Sequence, residues 1–325
     1  MGVESDLPAT SLAELLSGLK PTLAELEATR RHLTGQVWVL GLLAAGGMAT
    51  VIGGYLIHAP GLLFVCLMLA FATLTKRTQD VFKAYHLAFK NGVLGQVIRT
   101  IHPEARFLPS SGLPQEYFEE AQIYRTTIAT YDHEDLIEVT IGETRVRMSD
   151  VHARYRGRKN QLHSLFKGVV IVADFPKRFQ GRTVVLPEGC FGDRPDELQA
   201  VTLERSAFEQ DFVVYSSDQI EARYLLSPTM MERLVKFSRR FPGDVRISFA
   251  NNQVLVAIDG HANRLEAPPL FTPVTSINQA SLRAYLEDIR LAASFVEDLN
   301  LNLRIWTDIS VLDEGVAEAG QRRPT

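Results

Sequence analysis

Polar and apolar positions alternate along most of this chain, but between Val37 and Thr75 the alternation stops: 39 residues carry no Asp, Glu, Lys or Arg. A bilayer's hydrocarbon core takes about 20 apolar residues per helical crossing, so the run has room for two. It is broken once, at His58-Ala59-Pro60-Gly61, where a proline and the residue before it disfavour further helix and glycine eases a reversal. The pattern predicts a transmembrane hairpin with spans at 37–57 and 60–75. The second span is short, because a helix from Gly61 to Thr75 covers roughly 22 Å at 1.5 Å per residue. Snorkelling of Lys76 and Arg77 narrows the gap to ~30 Å of hydrocarbon, and a re-entrant segment would avoid it by never crossing. A cleaved signal fits poorly: the run starts too late and is too long for a signal's apolar core. Arg30 and Arg31 precede the first span, Lys76, Arg77 and Lys83 follow the second, and the turn is uncharged. The positive-inside rule then places both termini and the main domain in the cytoplasm, at a bacterial inner membrane.

In the first span Gly41, Ala45, Ala49 and Gly53 recur every fourth residue, a ridge suited to close helix contact. It is expected to pack on the chain's own second span, with homo-oligomerisation as the other use. Before the run, Leu12, Leu16, Leu19, Leu23, Leu26 and Leu33 form a heptad stripe, which Pro21 is expected to break or kink. After it, Phe82, Tyr85, Phe89, Val93, Val97 and Ile101 line a second apolar face that ends before Pro103. The two helices leave one hairpin side by side, which favours an antiparallel stalk. The organisation read so far is a cytosolic amphipathic helix at 1–35, the hairpin at 36–76 and a helical stalk at 77–102.

From Leu136 the period shortens to two. Ile137, Val139 and Ile141 alternate into a Gly142-Glu143 turn, and Val146, Met148 and Val151 alternate away from it, a β-hairpin. A turn at Gly157-Arg158-Lys159-Asn160 leads to the continuous apolar run Val169 to Ala173, and Thr183 to Leu186 adds a strand. After a Gly/Pro/Asp-rich connector at 187–197, strands are expected at Asp211 to Tyr215 and Ala222 to Leu226. Ser227-Pro228 is an N-cap and first-turn pair opening a helix to about Phe241. Val245, Ile247 and Phe249 alternate up to Asn251-Asn252, and Val254, Val256 and Ile258 alternate away, the clearest hairpin of the chain. Leu282, Tyr285, Leu286, Ile289, Ala293, Val296 and Leu299 mark a final amphipathic helix, and Leu301, Leu303 and Ile305 a terminal strand. The fold class is α+β: an amino-terminal helix, a two-span helical hairpin, then a cytosolic region of mainly antiparallel sheet with packed helices. That region is expected over 103–308, with possible sub-units at 123–187 and 200–308 and a disordered tail at 309–325.

Several strings carry a family resemblance: Phe166-Lys167-Gly168 through Ala173-Asp174-Phe175, Gly181-Arg182-Thr183 through Pro187, and Phe212 to Tyr215 with Ser217-Asp218-Gln219-Ile220-Glu221-Ala222-Arg223-Tyr224. To these are added the start of the helix at Leu226 to Leu234, and Val296-Glu297-Asp298-Leu299-Asn300-Leu301-Asn302 with Arg304-Ile305-Trp306. In these strings and in the order of its parts the chain resembles, over about residues 12 to 308, the bacterial membrane-protein family known as domain of unknown function 3137. The resemblance implies a membrane location and this architecture. It implies no catalytic residues.

Charge changes the picture at one place. Residues 145–182 hold ten basic side chains against Asp150 and Asp174, a local +8 in a chain whose formal net charge is -4. If residues alternating with the core share one sheet face, Arg145, Arg147, Arg154 and Arg156 form a basic surface. Together with the turn, this makes Arg154, Arg156, Arg158 and Lys159 the candidate contacts for anionic headgroups, each worth about 1 kcal/mol near a charged leaflet. The competing reading is a solvated strand face neutralised by Glu134, Asp135, Glu138 and Glu143. Nucleic acid is disfavoured, since no groove-reading motif accompanies the patch and the chain is acidic overall. Two cysteines, Cys66 in the second span and Cys190 in the soluble part, cannot supply a disulfide framework.

Catalytic candidates are confined to His133-Glu134-Asp135, His152, His163 and Cys190, and none has the spacing that a metal site or an activated nucleophile needs. Walker, Rossmann, zincin and nucleophile-elbow patterns are missing. No catalytic, cofactor-binding or metal-ligating residue is assigned and no cofactor is expected. The reading that follows is an integral inner-membrane anchor, scaffold or regulatory module whose α+β domain binds a protein partner or the anionic membrane surface. An enzyme of unrecognised class is the alternative, and a component of an oligomeric channel or transporter the third.

Overall fold

Two long helices and one large sheet dominate the computed structural model, which describes residues 9–57, 61–175, 180–190, 193, 195–203, 206–260 and 265–299. They fall into two compact units, Met1–Pro103 with Arg264–Asp288, and Glu104–Asn263 with Ile289–Thr325.

In the first unit, helix α1 (Ala9–Ile57) runs for 49 residues. Pro21 lies inside it, so the expected break does not occur. A proline costs one backbone hydrogen bond, and burial of Leu19, Leu23, Leu26 and Leu33 on one face holds the helix through it. Helix α2 (Gly61–Phe89) passes through a π-helical turn (Lys90–Leu94) into α3 (Gly95–Ile101). The returning helix is antiparallel to α1: Gln36 accepts from Thr78 at 3.4 Å, and the positions at Gly92 and Gly18 face Thr22 and Gln96. Leu19, Leu23, Leu26 and Leu33 of α1 and Tyr85, Phe89, Val93 and Val97 of the returning helix are buried.

The segment after residue 264 is tied to these helices by buried charge. Glu27 accepts from Arg30 Nε and Nη2 at 2.9 and 2.7 Å and from the Val274 N–H at 3.0 Å, while Arg30 Nη1 donates to the Leu270 carbonyl at 2.7 Å. Lys90, at the π turn, pairs with Glu266 at 2.9 Å, and His86 meets the same carboxylate at 3.2 Å. The Arg30 guanidinium holds the Glu27 carboxyl at about 2, well below its ordinary 4.5, against the opposing effect of burial.

Among the described residues no helix is long and apolar enough to cross a membrane, so the two crossings at 37–57 and 60–75 find no support there. The turn at 58–60 and the side chains at 50–64, 66, 67 and 70 lie outside the described residues. The small-residue ridge does not pack as expected: Gly41, Ala45 and Ala49 are exposed, and a Cβ on Gly41 would meet nothing within 4 Å. The face of α1 turned to α2 is the one bearing Gln36, and one and two helical turns on it carries Leu40 and Leu43, both half-buried. Gly53 lies outside the residues whose surroundings are described.

The second unit is built on one nine-stranded sheet. Its strands are β1 (Arg106–Leu108), β2 (Thr130–Ile141), β3 (Thr144–Arg156), β4 (Leu162–Asp174), β5 (Thr183–Pro187), β6 (Gln199–Ala200), β7 (Phe212–Ser216), β8 (Val245–Ala250) and β9 (Gln253–Asp259), in the order β1-β2-β3-β4-β9-β8-β5-β7-β6. Every recorded pairing is antiparallel. The hairpins at 142–143, 157–160 and 251–252 form where the alternation placed them, and Asn251 and Asn252 both adopt positive φ (53° and 59°), as a type I′ turn requires. Strands from both sides of the 187–197 connector join this sheet, so the candidate sub-units share it.

Helices α4 (Gln115–Glu120), α5 (Ser206–Glu209), α6 (Gln219–Leu225) and α7 (Pro228–Ser238) accompany the sheet, and α8 (Gln279–Leu299) ends in this unit. The strand expected at 222–226 is helical, because Asp218 accepts from the N–H groups of Ile220 and Glu221 at 2.8 and 2.9 Å and starts α6. Ser227 caps α7 through the Met230 N–H, as read, although α7 stops at Ser238. The terminal strand at 301–305 and the tail at 309–325 lie outside the described residues.

Candidate functional site

Strand parity decides where the charged residues of β2, β3 and β4 point. The β3 strand alternates without interruption against β2, with Val146, Met148, Asp150, His152, Arg154 and Arg156 on one face and Arg145, Arg147, Ser149, Val151 and Ala153 on the other. The basic surface expected from the sequence is therefore split. Arg147 donates to the Tyr117 hydroxyl at 2.7 Å and lies 4.6 Å from that ring's centre. Arg154 is engaged by Asp132 on the opposite face. Arg145 is exposed on the Arg147 face, and the β3–β4 tip exposes Arg156, whose Nη1 donates to Asn160 at 2.9 Å, with Arg158 and Lys159.

On the Arg154 face, an open groove of about 700 Å³ is lined by Asp132, Glu134, Asp150, His152, Arg154 and Lys167, among others. Residue pairing sets Asp132 and Lys167 on either side of His152. A bulge in β2 between Glu134 and Ile137, with Asp135 at φ 58°, bends the wall of the groove. His133, Glu134 and Asp135 sit within β2. Burial lowers the His152 pKa, and the neighbouring Arg154 and Lys167 lower it further against the pull of Asp132. Its imidazole is neutral at neutral pH and able to accept a hydrogen bond.

The groove mixes carboxylates and cations, which suits a polar, multiply charged surface better than a simple ion. Ser164 Oγ lies 3.3 Å from His152 Nε2, one of the two contacts of a serine–histidine relay. The second is not completed, since the carboxylate on the neighbouring strand, Asp132, is held by Arg154. Of the other candidates His133 also lines the groove, beside Tyr131, whereas His163 stacks on Tyr155 with ring centres 5.4 Å apart and Cys190 packs against the core on the opposite face.

That opposite core holds a cluster the sequence pattern gave no reason to seek. Arg246 of β8 is buried, with its Nη1 donating to the Ile123 carbonyl at 2.9 Å and to Asp193 at 2.8 Å, and its guanidinium 4.1 Å from the Tyr124 ring centre. In an alternating strand Arg246 reads as a solvent-facing position; here it faces a second core.

No curated protein matches the chain. Among solved structures, the crystal structure of the mycobacterial trehalose monomycolate transport factor A, TtfA, aligns at 12% identity over 63% of this chain and 96% of that one, with a TM-score of 0.33; a score that low transfers neither fold nor function. Residues 164–301, which run from within β4 through the last described turn of α8, match the family described as "Protein of unknown function (DUF3137)".

Proposed function

We propose that this protein is an integral inner-membrane anchor or scaffold that displays its DUF3137 domain to the cytoplasm as a binding module. One observation carries the reading. The described side chains of the charge-free run are apolar and exposed: Trp38, Val39, Leu42 and Met48 on α1, and Val65, Met68 and Leu69 on α2, are each at least half exposed or close to it. Farther down the first of these helices Leu19, Leu23, Leu26 and Leu33 are buried. Apolar surface on both helices of a hairpin, bounded by Arg31 on one and Lys76 and Arg77 on the other, has the chemistry of a lipid-facing wall with a basic cytoplasmic rim.

Within that anchor, the three exposed cations at the β3–β4 tip supply a contact for anionic headgroups, and the mixed-charge groove supplies one for a protein partner. Topology reporters test the anchor. Reporters at residue 1 and at Thr325 are expected to be active on the cytoplasmic side alone; an externally active reporter at Thr325 beside an internal one at the amino terminus would overturn the hairpin and leave a single crossing.

A further inference from the structure

Cys190 closes a tight turn that begins at Pro187. Its N–H donates to the Pro187 carbonyl at 3.2 Å, and Gly189 takes φ 90° at the third position, where a side chain would be strained. The turn sets the Cys190 thiol between two charges of opposite sign. Arg246 Nη2 lies 3.3 Å from Sγ as a donor, and Asp244 Oδ2 lies 4.0 Å from Sγ as an acceptor. The two neighbours differ in access to water, because Arg246 is 6% exposed and Asp244 is on the surface.

The guanidinium is not fully satisfied. Nη1 serves the Ile123 carbonyl and Asp193, whereas Nε is buried without a partner among the described residues. In an arginine the Nε–H and one Nη2–H point the same way and form a fork for a two-oxygen or anionic acceptor. Here the fork meets only a thiol sulfur, a weak acceptor. A buried donor left unpaired keeps its desolvation cost, so although Asp193 pairs with Nη1 the fold holds an unfilled donor edge beside Sγ.

We propose that Cys190 is a site of oxidation by hydroperoxides to the sulfenate, at which the sulfenate oxygen is received by the Nε–Nη2 edge of Arg246. In this step the sulfur attacks the outer oxygen of the peroxide, an S–O bond forms and the O–O bond breaks. Sulfur is oxidised by two electrons and the peroxide is reduced. The thiol proton passes through the Asp244 carboxylate to the departing hydroxide, giving water from hydrogen peroxide. The sulfenic acid then loses its proton to solvent, and the anion accepts from Nε and Nη2, which supplies the partner Nε lacks. Burial pushes the Cys190 thiol up, with Arg246 opposing, so formation is slow at neutral pH and continues to accelerate with pH past the range of an ordinary cysteine. What the site contributes is persistence of the product.

The test exposes the full chain in mild detergent to hydrogen peroxide, removes the peroxide with catalase, and follows the dimedone-reactive fraction at Cys190 by peptide mapping over time, in the folded chain and in the same chain unfolded by denaturant. One added oxygen at Cys190 is expected, with a lifetime roughly ten-fold longer folded than unfolded, the factor that one hydrogen bond to a charged group supplies. Arg246→Lys, which keeps the charge and removes the fork, is expected to shorten that lifetime; if this variant does not fold, the folded-to-unfolded comparison decides alone. A Cys190 that stays reduced in the folded chain while it oxidises in the unfolded one, or a sulfenate that decays equally fast in both, would overturn the proposal.

Discussion

Gly168 lies in the middle of the sheet, where β4 pairs with β9 and its partner is Asp259. A Cβ at this position would come 2.0 Å from the Ile258 carbonyl oxygen and 3.3 Å from the Asp259 Cα. Both are backbone atoms, so no side chain can swing aside. Restoring ordinary contact requires β4 and β9 to part locally by about 1 Å, a distance that removes two or three ladder hydrogen bonds. At ~1 kcal/mol each, with a further 1–3 kcal/mol for the overpacked neighbours, Gly168→Ala is expected to destabilise the domain by about 3–6 kcal/mol. That is a large share of a typical 5–15 kcal/mol. Thermal unfolding followed by limited proteolysis reads this directly, with Gly41→Ala as the matched control because nothing lies within 4 Å of its Cβ. The expected outcome is early loss of the sheet unit in Gly168→Ala and an unchanged melt in Gly41→Ala. Equal melting of the two would refute the close strand approach at Gly168 and the register that produces it.

Glu27, held at about 2 against an ordinary 4.5, contributes stability that is fully present above pH 4.5 and lost as pH falls through 2. The displacement amounts to an upper bound of about 3 kcal/mol, so Glu27→Gln should lower the protease resistance of the 265–278 segment at neutral pH and flatten its loss in acid; an unchanged acid profile would rule the clamp out. Because Gly41 and Ala49 are exposed, Gly41→Leu and Ala49→Leu are expected to leave membrane abundance and protease resistance unchanged, and a fall in either would show the ridge to be a contact surface. Converting Arg154, Arg156, Arg158 and Lys159 together to glutamine should abolish binding of detergent-free chain fragments to acidic vesicles at low salt while leaving the melt in place. Equal binding to neutral and acidic vesicles would remove the lipid contact.

Three hairpins were legible in the sequence because turn chemistry and alternation agree there: Gly142-Glu143, Gly157 to Asn160 and Asn251-Asn252. The helix over 219–225 was missed, as Ala222, Leu225 and Leu226 are buried and resemble a short strand, while the Asp218 cap that decides the matter is a single residue. Pro21 was overvalued, since a continuous buried leucine stripe outweighs one missing hydrogen bond. The largest failure concerns charge. Counting cations over 145–182 treated β3 as one-sided, yet its sheet carries buried side chains on both faces, so alternation separates Arg145 and Arg147 from Arg154 and Arg156. The same two-sidedness hid Arg246 in a run that reads as core, solvent, core. Asp193, Cys190 and Ile123 meet Arg246 across 53 to 123 residues of sequence, a separation no local pattern reports.

Extraction of native membranes with alkaline carbonate tests the central claim most directly. Peripheral proteins are released by it, whereas a hairpin embedded through Trp38, Leu42, Met48, Val65 and Leu69 keeps its apolar wall in lipid. The account predicts that the intact chain stays with the membrane pellet and that replacing Leu42, Met48 and Leu69 together with arginine releases it. Recovery of the unmodified chain in the carbonate supernatant would contradict the anchor.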